Sequence, residues 1–132
     1  AAPAEGDTDS NDASVVLAVA FGSFDALLTG DAPTSVERAL LAGVSPDLEV
    51  LKVGHHGSLT STDPALLAHA HPTLALVSVG RRNRYGHPAP AVLERLEAAG
   101  AVVRRTDEEG TLSVLGRKDG TWSVRAWGAR RR

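Results

Sequence analysis

The stretch Leu51-Lys52-Val53-Gly54-His55-His56-Gly57-Ser58 decides the fold class of this chain. A short apolar run leads into a pair of histidines flanked by glycines, a pattern typical of a strand that ends in a tight loop. Ligands of α/β proteins bind at the carboxyl ends of such strands. Paired imidazoles at this position therefore indicate a site for a metal or a phosphate.

Strands and helices alternate on both sides of this stretch. Residues 14–20 and 24–29 predict a β-hairpin, and the Thr34-Ser35-Val36-Glu37 spacing predicts a capping box for a helix that Gly43 ends. Further strands are predicted at 48–53, 74–79, 101–105, 111–115 and 121–127, and further helices at 62–70 and 90–99. The chain is therefore expected to be an α/β protein with a mixed sheet and flanking helices.

Composition limits the domain organisation and the chemistry. The chain has 132 residues and 42% hydrophobic content, which suffices for one core, and we expect a single domain over residues 14–128. Residues 1–13 predict a flexible acidic lead-in and residues 129–132 a basic tail. Without cysteine, any metal is held by histidine and carboxylate. No apolar run approaches the ~20 residues of a membrane helix. The absence of an initiator methionine predicts a piece of a longer protein, although processing of the N-terminus would explain it equally well.

Charge is distributed unevenly along the chain. Residues 1–50 contain nine acidic residues and one basic residue, whereas residues 51–132 contain seven acidic and thirteen basic residues. The basic part carries the histidine pair, so the asymmetry could steer an anionic substrate towards that loop. A mixed surface that happens to be uneven explains the pattern equally well.

Candidate site residues follow three of the predicted strands: Asp31, the His55-His56 pair, and His87 in Tyr85-Gly86-His87-Pro88. Carboxylate and neutral imidazole are ligands for zinc or manganese. Each residue also has a simpler interpretation, as a turn residue, a surface-loop pair and a residue that sets up the next helix. His69 and His71 lie at a predicted helix end, where we expect them to interact with the terminal carbonyls.

Five segments follow one another in a recognisable order: Asn11 to Leu17, Leu27 to Asp31, Leu51 to Ser58 with Thr60-Ser61-Thr62, Ser78 to Pro88, and Arg105-Thr106-Asp107. Together they resemble the C-terminal metallo-β-lactamase-type domain of the ComEC family of DNA-uptake proteins. The resemblance implies an αββα sandwich and a metal-dependent phosphodiesterase or nuclease that acts on DNA during natural transformation. It also implies a parent protein in the bacterial cytoplasmic membrane, with this domain on the extracytoplasmic face.

The resemblance also implies roles for individual residues. Asp31 matches an aspartate that bridges two metals, and His55 or His56 matches the last histidine ligand, while the other imidazole of the pair would orient it or contact the scissile phosphate. His87 would bind phosphate or act as a general acid. The predicted contacts to the DNA phosphate backbone, which a solvated loop would explain equally well, are Ser58, Thr60, Arg81, Arg82, Asn83 and Arg84.

One feature of the resembled family is absent from this sequence. The chain contains no His-x-His-x-Asp-His motif, which in that family supplies most ligands from the first half of the domain. We therefore expect the second half of the sandwich, with an incomplete dinuclear zinc or manganese site and little or no activity of the chain alone. The expected partners are the missing N-terminal half and the membrane channel of the parent, and an exposed inner sheet face predicts self-association.

Two other functions remain open at this stage. The chain could be a non-catalytic module that binds DNA or packs against a channel, or a cell-wall phosphoesterase that acts on phosphocholine-type substrates. With two tryptophans, one tyrosine and two phenylalanines, it offers few surfaces on which bases could stack. Any contact with DNA should therefore be made mainly to phosphates.

Overall fold

A five-stranded mixed sheet lies at the centre of the computed structural model, which describes residues 10–128. Its order is β1-β2-β3-β4-β5, with β1 antiparallel to β2 and all other neighbours parallel. The parallel arrangement brings the carboxyl ends of β2, β3 and β4 to one edge. The strands are β1 (Leu17–Phe21), β2 (Phe24–Leu28), β3 (Val50–Lys52), β4 (Leu74–Val77) and β5 (Val102–Arg105).

Helices connect the parallel strands, and a hairpin follows β5. The helices are α1 (Thr34–Ala39), α2 (Pro64–Ala70), α3 (Pro90–Ala98) and the single turn α4 (Thr106–Glu109). The hairpin consists of β6 (Gly110–Gly116) and β7 (Trp122–Gly128), and short 3-10 turns span Ser10–Ala13, Leu41–Gly43 and Gly54–Gly57. Within residues 10–128, no helix combines the length and hydropathy needed to cross a membrane.

The helices and the hairpin cover opposite faces of the sheet. On one face, Leu51 and Val77 belong to the main core together with Leu66 of α2 and Leu96 of α3. Burying each such leucine stabilises the fold by about 1.5–3 kcal/mol. The other face, called here the inner face, carries a second cluster described below. A mixed sheet with flanking helices agrees with the predicted fold class and is consistent with half of a metallo-β-lactamase-like fold.

The hairpin formed by β6 and β7 packs on the inner face. Phe24, Ala26, Val50 and Leu74 form a buried cluster there, against which hairpin residues such as Trp122 pack. The approach is close, since a Cβ at Gly116 would lie 2.7 Å from the Phe24 ring. The predicted exposure of this face is therefore only partial. The part beyond the hairpin remains exposed at Leu17, Val19, Phe21 and Leu28.

The predicted hairpin at the start of the chain is present, with Gly22 and Ser23 between β1 and β2. The first strand begins at Leu17 rather than at residue 14. The other predicted strands and helices are also present. Of the predicted elements, β2, β4, β5, α2 and α3 are shorter than predicted by one or two residues, β3 is shorter by three, and α1 ends at Ala39, before the predicted end at Gly43. The strand β6 is longer by two residues, and β7 is shifted by one. The connection between β5 and β6 is formed by the single helical turn α4.

The predicted capping box at the start of α1 is wrong. The helix has Pro33 at its N-cap, and no side chain caps it. Glu37 is buried, and its carboxylate instead accepts hydrogen bonds from the amides of Thr62 and Asp63, at 3.0 and 2.7 Å. The spacing correctly predicted that Glu37 accepts amide hydrogen bonds at a helix start, but the helix is α2 rather than α1.

The predicted terminal segments lie mostly outside the described residues. Residues 1–9 of the acidic lead-in and the basic tail 129–132 are not described, and residues 10–13 form a 3-10 turn. The domain boundaries at 14 and 128 stay a prediction.

Candidate functional site

Three loops meet at the edge where β2, β3 and β4 end. Gly30-Asp31 follows β2, the His55-His56 pair follows β3, and residues 78–89 follow β4. Because these strands are parallel and adjacent, their carboxyl ends point the same way. The predicted site residues therefore share one rim of the sheet.

The histidine pair forms an unusual turn. His55 (φ 47°, ψ 45°) and His56 (φ 56°, ψ 22°) both adopt the left-handed conformation. This conformation costs a non-glycine residue about 1–2 kcal/mol. The imidazole rings diverge, with centroids 6.2 Å apart and planes at 66°. Residues with such strained backbone conformations cluster at functional sites, where the side chains matter more than the backbone cost.

The ring of His56 is fixed by a backbone carbonyl. Its Nδ1 lies 2.7 Å from the carbonyl oxygen of Ser78, at the end of β4. A carbonyl oxygen only accepts hydrogen bonds, so Nδ1 carries the proton and donates it. In the neutral ring, Nε2 then holds the lone pair, the arrangement found in histidines that bind a metal through Nε2.

His55 connects the first loop to the second. Its amide donates to the carbonyl of Gly30 at 2.9 Å, which ties the turn to the loop that carries Asp31. Its Nδ1 lies 3.3 Å from Oγ1 of Thr60, and this hydroxyl lies 3.0 Å from Oγ of Ser58. Thr60 thus contacts the His55 ring directly, and Ser58 contacts Thr60. Ser58 is buried, whereas Thr60 is exposed.

The third loop places His87 beside the pair. The His55 and His87 ring centroids are 5.8 Å apart, and Tyr85 stacks on His87 with centroids 5.7 Å apart. The side-chain amide of Asn83 holds the backbone of His87 at both ends, donating to its carbonyl at 2.7 Å and accepting from its amide at 2.9 Å. His55, His56 and His87 together are called the histidine cluster below.

The pKa of His87 lies below its ordinary value of 6.5. Partial burial lowers this pKa most, and positive charge on His55 and on His56 lowers it further. These effects favour the uncharged form of the His87 ring. An uncharged His87 can accept a proton or a hydrogen bond, and a bound phosphate would raise its pKa towards the value that a general acid needs.

Two glycines, Gly54 and Gly57, pack closely against neighbouring segments. A Cβ at Gly57 would lie 2.5 Å from Cβ of Pro88, and the amide of Ala89 donates to the Gly57 carbonyl at 2.9 Å. A Cβ at Gly54 would lie 2.9 Å from Oγ1 of Thr29. Glycine is needed at both positions because the neighbouring elements leave no room for a side chain.

The described part of the chain, residues 10–128, does not assemble a complete metal site. Among residues 10–128, no group of three or more His, Asp, Glu or Cys side chains is arranged to hold a metal ion. Asp31 shares the rim with the histidine cluster, and its negative charge acts on Lys52 at the end of β3. Neutral imidazole and carboxylate suit zinc or manganese, but the ligands brought together here are too few for one coordination shell.

The predicted substrate-binding arginines belong to a loop beside a small cleft, but none of them lines it. His56, Asn83, Tyr85 and His87 line this cleft of about 190 Å³. The loop that forms one side of it carries the exposed side chains of Arg81, Arg82 and Arg84. Asn83 positions His87 rather than pointing freely into solvent.

Sequence reasoning missed two participants in this rim. The carbonyl of Ser78, which orients His56, carries no side-chain signal and could not have been found. Tyr85, which stacks on His87, belongs to the quoted Tyr-Gly-His-Pro segment, and its position two residues before the histidine was a usable signal.

The fold and the rim together define a mixed α/β domain with a histidine-containing site at the strand ends. No family model matches the chain. Competence protein ComA of Neisseria gonorrhoeae is 41% identical over 112 residues, which cover 83% of this chain and 16% of that protein. ComE operon protein 3 of Bacillus subtilis (strain 168) is 37% identical over 117 residues, which cover 86% of this chain and 15% of that protein.

The chain belongs to the family of ComEC-type competence proteins. It spans about one sixth of the length of these two relatives.

Proposed function

We propose that this chain contributes part of a metal-dependent phosphodiesterase site that acts on DNA during competence. The name of the Neisseria relative supports the competence role. The single observation that carries the catalytic part is the histidine cluster, in which Nδ1 of His56 donates to the Ser78 carbonyl and leaves Nε2 to bind a ligand. The parent protein is proposed to lie in the cytoplasmic membrane, with this domain on the outer face.

In this proposal His56, His55 and Asp31 supply ligands from two adjacent loops. A divalent zinc or manganese ion, when bound, would act as a Lewis acid that lowers the pKa of water and offsets phosphate charge. The remaining ligands would come from parts of the longer relatives that this chain does not cover. The chain alone should then bind metal weakly.

The residues around the cluster have separate proposed tasks. His87, held by Asn83, faces the same cleft and would hydrogen-bond a phosphate oxygen or protonate the leaving oxygen. Arg81, Arg82 and Arg84 would contact phosphates on either side through an exposed loop. Ser58 and Thr60 would contribute mainly by supporting His55.

Metal binding can be measured by calorimetry with zinc or manganese. We expect weak binding by the 132-residue chain, reduced at least about tenfold by His56→Ala and by Asp31→Ala because each removes a ligand. His69→Ala is a matched control, since the ring of His69 contacts the Val44 carbonyl instead. Equal affinity in all four proteins would contradict the proposed ligands.

Hydrolysis provides an independent test. We expect little or no cleavage of single-stranded DNA by the chain alone. Robust, chelator-sensitive cleavage would refute the expectation that the site is incomplete while supporting the reaction. Faster hydrolysis of a small chromogenic diester than of DNA would instead favour a cell-wall phosphoesterase.

A non-catalytic DNA-binding module is the second candidate. It is favoured by the lack of a three-residue ligand group among the described residues. DNA binding that persists without metal, together with no metal in elemental analysis, would support this alternative.

A further inference from the structure

A second cleft lies on the inner face, next to the histidine cluster. It has a volume of about 560 Å³ and separates the ends of β3 and β4 from the start of β6. Ser78 lines this cleft, and the same residue's carbonyl accepts the hydrogen bond from His56. The two clefts are therefore neighbours that share the chain segment at the end of β4.

Lys52 supplies the charge of this second cleft. Of the nine residues that line it, Lys52 is the only one with a formal charge. Its Nζ donates one hydrogen bond, to the Val53 carbonyl at 3.1 Å, which leaves two of its three N–H donors for a ligand. Within residues 10–128, no ion pair includes Lys52.

The environment of Lys52 favours an anionic ligand. Burial lowers the pKa of the ammonium group, although the negative charge of Asp31 acts in the opposite direction. A half-buried ammonium without a salt bridge has lost hydration that a bound anion would replace. The exposed residue Thr111 also lines this cleft, and its hydroxyl group is a further hydrogen-bond donor.

Nearby arginines are engaged with carboxylates. Nε of Arg104 lies 2.7 Å from Oε2 of Glu109, and Nη2 of Arg105 lies 2.7 Å from Oδ2 of Asp107. Their charges are thus largely balanced within the fold. Lys52 remains the positive charge directed at the second cleft.

We propose that Lys52 binds a backbone phosphate of a single DNA strand in this second cleft, called here the Lys52 cleft. The inference rests on the proposed function, because it places one phosphate at Lys52 while another faces the histidine cluster. Lys52 would bind the DNA strand in the cleft on the inner face, and the histidine cluster lies on the other side of Ser78. The contact is ionic and would not read the base sequence.

The experiment uses the ¹⁵N-labelled 132-residue chain in chelator-containing buffer, titrated with a short thymidine oligonucleotide or with inorganic phosphate. We expect the oligonucleotide to shift the amide signals of Ser78, Thr106 and Thr111. Lys52→Met should weaken this binding roughly 10–100-fold, because it removes a charged hydrogen bond and keeps the aliphatic stem. Lys52→Arg should retain most of the affinity.

Lys118→Met is the matched control, since the chain has only these two lysines. Lys118 lies 5.6 Å from the Phe21 ring centroid, at the turn between β6 and β7. An unchanged affinity in Lys52→Met, or an equal loss in Lys118→Met, would overturn the proposal. Binding of inorganic phosphate but not of the oligonucleotide would also overturn the assignment to a DNA strand.

Because the titration is carried out in chelator-containing buffer, its result does not depend on the metal binding that the proposed function requires. Failure at Lys52 leaves the calorimetric metal test unaffected, whereas Lys52-dependent binding in a chain that binds no metal would support the cleft and the non-catalytic alternative. Native amide spectra of Lys52→Met in the absence of DNA establish that the variant is folded.

Discussion

At the scale of single residues, His87 provides the clearest titration. Burial and the charges of His55 and His56 lower its pKa below 6.5. In metal-free solution, NMR titration of the His87 ring should therefore give a midpoint below 6.5. Replacing His55 and His56 together by alanine should raise that midpoint only partly, because the larger effect of burial remains.

His69→Ala should leave the midpoint of His87 unchanged. The lowered pKa of His87 also makes the stability of the folded state depend on pH. The folded state binds this proton more weakly than the unfolded chain, so the stabilisation is present above pH 6.5 and is lost as pH falls through the lowered pKa. A midpoint at or above 6.5 in the unmodified chain would contradict the assigned environment.

The histidines illustrate what sequence reveals at this scale. Their positions after predicted strands correctly indicated one shared rim, because adjacent parallel strands end on the same side. The orientation of the His56 ring depends on the Ser78 carbonyl, which lies 22 residues away in sequence and leaves no local pattern. Which of the two imidazoles binds a metal stays a prediction. The predicted substrate role of Ser58 is untested, and its burial instead shows a hydroxyl that supports Thr60.

At the scale of elements, Glu37 of α1 controls the start of α2. Its carboxylate accepts the amides of Thr62 and Asp63, while Asp63 caps α2 by accepting from the amide of Ala65. Burial raises the pKa of Glu37, and these amide hydrogen bonds partly offset that effect. Arg95 of α3 also reaches this point and donates to the Thr62 carbonyl at 3.1 Å.

Glu37→Ala should destabilise the protein by about 2–4 kcal/mol in urea unfolding. The substitution leaves two buried amides without their acceptor, and an unsatisfied buried group costs about 1–3 kcal/mol. Glu94→Ala, which removes an exposed helical glutamate, should change stability by less than about 0.5 kcal/mol. Similar losses in both variants would show that the Glu37 contacts contribute little.

The elements themselves were largely predictable, for identifiable reasons. Pro64 after Asp63 marked the start of α2, and Gly22 marked the first turn. The role of Glu37 was not predictable, because hydrogen bonds across 25 and 26 residues leave no local pattern. Local signals located the helices but not the contacts between them.

At the scale of the whole molecule, the incompletely covered inner face predicts association between copies of the chain. The hairpin formed by β6 and β7 covers its centre, while Leu17, Val19 and Phe21 on β1 remain 52%, 37% and 46% exposed. The strand β1 is also the edge of the sheet, where unpaired backbone groups favour further strand pairing. Both features favour contact between copies of the chain.

Sedimentation velocity should therefore show concentration-dependent self-association of the purified chain. Val19→Lys should reduce it by placing a charge in the apolar patch. Leu115→Lys, an equivalent change at a residue that is exposed on the hairpin, should have a smaller effect. A chain that stays monomeric over the whole concentration range would refute association through this face.

The left-handed turn at His55 and His56 has a consequence for protein engineering. A redesign that maximised thermal stability would place glycine at one or both positions, since glycine adopts these dihedral angles without the steric cost. The gain in stability would remove the imidazoles that the loop presents. Under the proposed function, stability and activity therefore conflict at this turn, so a thermostable version of the protein should be sought through substitutions elsewhere in the fold.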